Sequence, residues 1–320
     1  MHLGSYEEWQ LGWPSTPRAV LAKLVRSATG DEIDRLDRIL EGYSNEVYRV
    51  GCTSGDEVVI RILRFDDDVS MSRAIDEAWA IEKAFRAGVP TAEVLLLDSI
   101  HLDGTDYPAM VQRAVPGQPL SKVIEKLSIE RRHDVLSEVG RLIARLSAVP
   151  VDRPHDWTTA MEASLAARRA DQPLILDAGF TAAQVRGMFE LIEGYVRDVS
   201  RQQVVLSHGD LSAKHIFVAG EPTVGVHVSG FIDFGDWTPG APVHDLAVLR
   251  VRSPELELVP LLAGHGHAGA ESFRRQLDLH TLLVALDALT FQIAELDRSS
   301  ASVTTNLIHT LVSDLAEQDF

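Results

Sequence analysis

Ser207-His208-Gly209-Asp210-Leu211-Ser212-Ala213-Lys214-His215 and Gly230-Phe231-Ile232-Asp233-Phe234-Gly235-Asp236 are the two stretches on which the reading of this chain turns. Short β-rich runs surround them: Val204 to Leu206 before the first, Ile216 to Val218 and Val226 to Ile232 between them. Both aspartates are therefore predicted on loops at strand ends, and loops held by a rigid scaffold are where chemistry concentrates. Phosphoryl transfer needs an acceptor held in line, metal ions on nucleotide phosphates and fixed positive charge. Asp210 supplies a candidate base or orienting group for an acceptor hydroxyl, and His215 with Asp233 supplies two candidate ligands for magnesium.

Working outward toward the N-terminus, Arg18 to Thr29 reads as a helix, and Leu36 to Leu40 and Val47 to Val50 read as strands joined across Glu41-Gly42-Tyr43-Ser44-Asn45. Ser54-Gly55-Asp56 leads into a third strand, Val58 to Leu63. Ala74 to Ala87 has apolar residues at helical spacing and stops at Gly88 with Pro90 behind it. Val94 to Leu97 and Pro108 to Gln112 complete a small five-stranded antiparallel sheet with one helix on it. In this region Arg61 is a candidate for the α- and β-phosphates, with Glu77 fixing it by an ion pair. Backbone N–H groups of Tyr43, Ser44 and Asn45 are candidates for capping the phosphates. The alternative for Glu77 is a surface pair with Arg73 one helical turn away; Ser44 and Asn45 alternatively only make the turn.

After Pro116-Gly117 the pattern becomes helical, over Leu120 to Leu127, Arg131 to Val149, Ala160 to Arg169, Ala182 to Val199, Asp245 to Arg250 and Phe273 to Leu296. The expected organisation is an α/β (α+β) fold in two lobes, residues 1–116 carrying the nucleotide and residues 117–320 carrying the catalytic loop and the acceptor pocket. His265-Gly266-His267 looks like a metal tract but has no further ligands nearby, so a flexible loop is expected.

The 320 residues are 45% hydrophobic and 24% charged, an ordinary globular balance. A net charge of −17 disfavours nucleic acid as a partner and attracts cations, including a cationic substrate. One cysteine, Cys52, permits no internal disulfide, and the first residues lack the basic start and apolar run of a secretory signal. Asp287 interrupts the most apolar late segment, so no membrane span is expected and a cytoplasmic location is the default.

His208-Gly209-Asp210, Asp233-Phe234-Gly235-Asp236 and His244-Asp245-Leu246-Ala247 together resemble the aminoglycoside phosphotransferase family, within the protein-kinase-like fold, over nearly the whole chain. The resemblance implies a small antiparallel-sheet N-lobe, a mainly helical C-lobe, Mg2+ as cofactor and ATP or GTP as phosphate donor. It makes Asp210 the catalytic aspartate and His215 and Asp233 the metal ligands. Asp245, with His208, becomes the structural support of the catalytic loop. Arg113 and Val115 would offer backbone groups to the base, which Met110 or Gln112 would border, and Lys214 would touch the γ-phosphate unless it is simply a solvated loop lysine.

Most relatives have asparagine where this chain has His215; a histidine is familiar in the 2″-aminoglycoside and macrolide branches. Arg61 replaces a strand lysine, keeping the charge with a different fork, and Gly240-Ala241-Pro242 stands where many relatives have Gly-Asp-Pro. The implied acceptor is a small-molecule hydroxyl, most plausibly on an antibiotic such as an aminoglycoside. The alternatives are a macrolide, a sugar, an amino alcohol, homoserine, or a catalytically idle binding protein of the same fold. The short stretch from Asp233 to His244-Asp245 leaves no room for the activation segment of a protein kinase.

Overall fold

The computed structural model describes residues 15–40, 45–64, 69–152, 157–199, 203–221, 224–295 and 301–317. The chain divides into two units: the described residues up to Gly117 together with Ser229–Gly235, and Gln118–Val228 together with Asp236 onward.

The N-terminal unit begins with α1 (Arg18–Thr29), whose apolar Leu21, Leu24 and Val25 recur at helical spacing and are buried. Gly30 ends it in the left-handed region, its N–H reaching Arg26 O. Strands β1 (Ile33–Ile39), β2 (Asn45–Cys52) and β3 (Glu57–Leu63) follow, then α2 (Val69–Arg86), β4 (Val94–Leu102) and β5 (Thr105–Arg113). They form one antiparallel sheet in the order β1-β2-β3-β5-β4. Strand β2 alternates half-buried and buried residues along its length, the period-two pattern of a strand with one face on a core. That core joins α1 to Tyr48, Val50, Val58, Ile60, Ile62, Ala109 and Val111. Burying each large aliphatic side chain there contributes roughly 1.5–3 kcal/mol. Because Ile60 and Ile62 face this core, Arg61 between them faces the other side, as does its cross-strand partner Met110. The β4–β5 hairpin is longer than the expected pair of short strands, turning at Asp103-Gly104, both with positive φ, an Asp-Gly signal for a tight hairpin.

The C-terminal unit starts with β6 (Gln118–Pro119), α3 (Leu120–Val123) and a short 3-10 turn at Ile124–Lys126. It continues through α4 (Ile129–Leu146), α5 (Trp157–Ala170), α6 (Gln172–Asp177) and α7 (Ala182–Val199). Three short strands, β7 (Val205–Ser207), β8 (Ile216–Glu221) and β9 (Gly225–Phe231), carry the loops of interest; β9 runs into the N-terminal unit. Strand β10 (Thr238–Gly240) pairs with β7, and the helices α8 (His244–Arg252), α9 (Leu258–His265), α10 (Glu271–Glu295) and α11 (Ser302–Glu317) follow.

One expectation is corrected here. His265 is no loop residue: it is the buried last residue of α9, and Gly266 is the left-handed cap behind it. The segment holding Asp287 is, by length and composition, long and apolar enough to cross a membrane despite that aspartate, 24 residues at mean hydropathy 1.4. A share of 56% of its apolar stretch is buried, and α10 packs on α7, α8 and α11, the environment of a core helix.

Helices α4 and α9 cross backbone to backbone through a pair of glycines. A Cβ on Gly140 would stand 2.1 Å from Leu261 O, and one on Gly264 would stand 1.9 Å from Ser137 O. Gly140→Ala is therefore expected to destabilise the protein by about 2–3 kcal/mol, the cost of overpacking a rigid contact. Gly187 in α7 has open space around its missing Cβ, so Gly187→Ala adds up to about 1 kcal/mol through helix propensity. Thermal unfolding of the two variants, moving Tm in opposite directions, checks both.

Candidate functional site

The candidate residues fall into two groups, one in each unit. In the N-terminal unit Arg61, only 7% exposed, uses both arms of its guanidinium: one pairs with Glu77 of α2 and the other lies 2.9 Å from Asp233 Oδ1. A buried cation is costly unless its charge and donors are met, and the planar fork meets two carboxylates at once. Asp233 follows β9 and its backbone has φ +67, a left-handed conformation that Asp and Asn adopt more readily than other side chains. The segment before it is tied down, with Phe231 N–H donating to Pro90 O and Ser229 Oγ to Pro116 O.

Asn45 opens β2 opposite Leu63; Ser44, with Gly42 and Tyr43, lies outside the described residues. Arg113 ends β5, its N–H donating to Glu93 O at 2.8 Å and its Nε lying 3.0 Å from Glu93 Oε2. Ala114 N–H donates to Glu57 O. Of the groups expected to face a base, the Arg113 N–H is thus already committed. Val115 is buried, and so are Met110 and Gln112, the latter with an amide nitrogen that has no partner among the described residues.

In the C-terminal unit Asp245, at the start of α8, is 1% exposed and accepts two backbone hydrogen bonds, from His208 N–H at 2.9 Å and Gly209 N–H at 3.1 Å. These pin the turn that leads to Asp210. Gly209 has φ +86, and a Cβ there would fall 1.8 Å from Asp236 O, so only glycine fits. Asp210 N–H then donates to His208 Nδ1 at 3.4 Å, and Asp210 O accepts from His215 Nδ1–H at 2.7 Å. The rings of His208 and His215 stack at 5.9 Å. Arg252, at the end of α8, places Nε 3.1 Å from Asp210 Oδ1. Lys214 is exposed on the same loop. Sequence reasoning missed Arg252, which lies far along the chain and belongs to no short motif.

Burial pushes the Asp245 carboxyl up to about 6, opposed by the two backbone donors. Protonation leaves one oxygen less able to accept, loosening the turn that holds Asp210. Turnover is therefore expected to fall as pH drops below about 6, and Asp245→Asn, which turns a donor toward a backbone N–H, is expected to remove most activity at every pH. A pH–rate profile of both proteins tests this.

Beside this loop lies a cavity of about 710 Å³ lined by Gly209, His244, Arg252, Trp157, Arg168 and Asp287 among others, with an apolar wall that includes Met161, Leu283 and Phe291. Arg168 lies 2.9 Å from Asp287 and 3.3 Å from Asp171, so the two carboxylates of the lining are already paired.

Each unit offers one candidate metal donor. In the N-terminal unit Asp233 has a hard carboxylate oxygen of the kind magnesium takes; in the C-terminal unit His215, donating its Nδ1–H to a carbonyl, carries its lone pair on Nε2, a softer donor than magnesium prefers. Among the described residues no three His, Cys, Asp or Glu side chains converge on one point.

The fold and these loops have the make-up of a protein-kinase-like enzyme. Residues 35–280 match the phosphotransferase enzyme family (APH), so the chain belongs to that family and is a small-molecule phosphotransferase. It is 24% identical to hydroxylysine kinase of Mus musculus over 292 residues, 81% of this chain and 75% of that protein. Among solved structures it resembles the GDP and kanamycin complex of the phosphotransferase APH(2″)-IIIa, with TM-score 0.62 and 18% identity over 94% of this chain and 99% of that one. The macrolide 2′-phosphotransferase of Brachybacterium faecium follows at TM-score 0.56 and 18% identity, over 90% of this chain and 98% of that one.

Proposed function

We propose that the protein transfers the γ-phosphate of ATP or GTP to a hydroxyl of a small molecule that occupies the cavity beside Gly209. The single observation that carries this is the Asp210 loop, pinned by Asp245 and joined through Arg252 to the lining of that cavity. Residues 1–116 hold the nucleotide, through Arg61, Ser44 and Asn45, the carbonyl of Arg113 and the backbone of Val115, while residues 117–320 hold the acceptor. Glu77 keeps Arg61 in place, and Lys214 reaches the γ-phosphate. Asp233 and His215 would hold magnesium, which when bound would neutralise charge on the phosphates.

Asp210 orients the acceptor hydroxyl and takes its proton as the new oxygen–phosphorus bond forms. The bond from the γ-phosphorus to the bridging oxygen breaks, and the nucleoside diphosphate and a phosphate monoester leave. The base matters more for position than for proton removal, because the transition state is loose.

For the acceptor, the net charge of −17 and the likeness to a kanamycin complex favour an aminoglycoside. The cavity itself favours a second class: a polycation needs open carboxylates, and Asp171 and Asp287 both pair with Arg168. A hydroxyl compound with an apolar body and little net positive charge suits that lining better, and hydroxylysine kinase is a relative whose named substrate carries a carboxylate beside its two amino groups. A transfer screen over kanamycin, erythromycin, hydroxylysine, homoserine and simple sugars separates the two. Turnover confined to kanamycin assigns the polycation; turnover of hydroxylysine, homoserine or erythromycin assigns the second class.

A further inference from the structure

Three side chains of the C-terminal unit form a hydrogen-bonded chain that the transfer mechanism above does not use. Tyr195 Oη of α7 lies 2.6 Å from His280 Nδ1 in α10, and His280 Nε2 lies 2.8 Å from His244 Nδ1 at the start of α8. Tyr195 and His280 are buried, the rings meeting edge to face, and His244 and His280 both line the cavity beside Gly209.

The proton positions follow from counting partners. Among the described residues Tyr195 Oη has no partner but His280 Nδ1, so its proton goes there. A neutral imidazole with a bare Nδ1 carries its hydrogen on Nε2, and His280 therefore donates to His244 Nδ1. His244 in turn keeps its hydrogen on Nε2, which has no partner among the described residues and is not among the enclosed, unpartnered polar atoms of the unit. Burial lowers the pKa of both rings, that of His244 to about 4 and that of His280 well below the usual histidine value, so both stay neutral through the physiological range.

We propose that His244 binds the acceptor substrate: the Tyr195–His280–His244 chain fixes its Nε2–H as a hydrogen-bond donor into the cavity, where it takes a hydroxyl, carbonyl or carboxylate oxygen of the substrate and rejects an ammonium group. This rests on the cavity being the acceptor site, as assigned above. Tyr195 and His280 are positioning residues that touch no substrate. Tyr195→Phe removes the proton that sets the chain's direction, so His244 can turn a bare nitrogen to the substrate in its place.

The test uses the full-length ¹⁵N-labelled protein, with histidine ring nitrogens observed by NMR from pH 6 to 8, alone and with hydroxylysine, kanamycin or erythromycin as probes. Both rings are expected neutral with hydrogen on Nε2, and the His244 Nε2 resonance moves when one probe binds. For that probe, Tyr195→Phe and His244→Leu raise KM about tenfold, the worth of one neutral hydrogen bond, with kcat and the nucleotide KM changed less than about twofold. His244→Gln, which keeps an N–H donor, stays within about threefold of the parent. Hydrogen on His244 Nδ1, a charged ring at pH 6, or a resonance that no probe moves overturns the proposal. So do variants that lower Tm and raise the nucleotide KM while leaving the acceptor KM alone. The ring-nitrogen measurement needs no turnover, so a probe that binds at His244 without being phosphorylated tells against the proposed reaction and leaves this assignment standing.

Discussion

Asp210→Ala is expected to keep nucleotide binding and to lower phosphate transfer by about 10³–10⁴-fold, the range for loss of a positioned base and the orientation it provides. The nucleotide contacts proposed above are assigned mainly to residues 1–116, and the Asp210 side chain is not among them, so affinity for the nucleotide should change less than about threefold. The substitution is also gentle on the fold. Asp210 is partly exposed, and the backbone bonds to His208 Nδ1 and from His215 Nδ1 do not depend on its side chain. Single-turnover kinetics beside a nucleotide-binding isotherm measure the split; full activity in the variant removes Asp210 from the reaction.

Asp233→Asn is the second large effect. Asparagine tolerates the left-handed backbone at this position, so the change isolates the charge. The amide is a much poorer magnesium ligand and no longer neutralises the second arm of Arg61. Turnover should fall by about 10²–10³-fold or more, with the magnesium concentration for half-maximal rate displaced upward, since a metal clamp on transferring phosphate contributes several kcal/mol. A variant that keeps the parent's magnesium dependence contradicts the role given to Asp233. The buried Arg61–Glu77 pair gives a useful contrast. Glu77→Ala leaves a cation with less compensation inside the unit and should cost stability as well as rate, about 3–5 kcal/mol for a broken buried pair.

Much of this architecture is legible in the residues because local chemistry and tertiary structure agree. Arg18–Thr29 and Ala182–Val199 form helices over the expected spans, the three N-terminal strands pair in the expected antiparallel order, and the segment after Gly117 is mainly helical. The differences have physical causes. The β4–β5 hairpin is longer than its hydrophobic runs suggest because cross-strand bonding extends through polar residues to the Asp103-Gly104 turn, a signal present in the sequence. Strands β6 and β10 are too short to have a period, and α9 hides behind His265-Gly266-His267, where Gly266 caps a helix.

The candidate residues divide in the same way. Asp210, His215, Asp233 and Asp245 lie in compact motifs whose spacing is itself the signal. The ion pair of Arg61 and Glu77 could be anticipated because a strand cation and a carboxylate on the following helix meet wherever the helix packs on the sheet. Arg252 on Asp210, Arg168 across Asp171 and Asp287, and the Tyr195–His280–His244 chain are products of helix packing between distant segments. No local pattern announces them, and Arg252, Arg168, Asp171, Asp287, His280 and His244 all line the cavity.

The central claim is transfer of a terminal phosphate to a small-molecule hydroxyl, and the most direct measurement follows the γ-phosphate itself. ATP and GTP labelled on the γ-phosphorus would be incubated with magnesium, the protein and the acceptor panel, and the label traced into product. The account predicts label in a phosphate monoester of at least one acceptor, absent with Asp210→Ala. Label that stays on the nucleotide or appears only as inorganic phosphate with every acceptor, or a monoester formed equally well by Asp210→Ala, would contradict it.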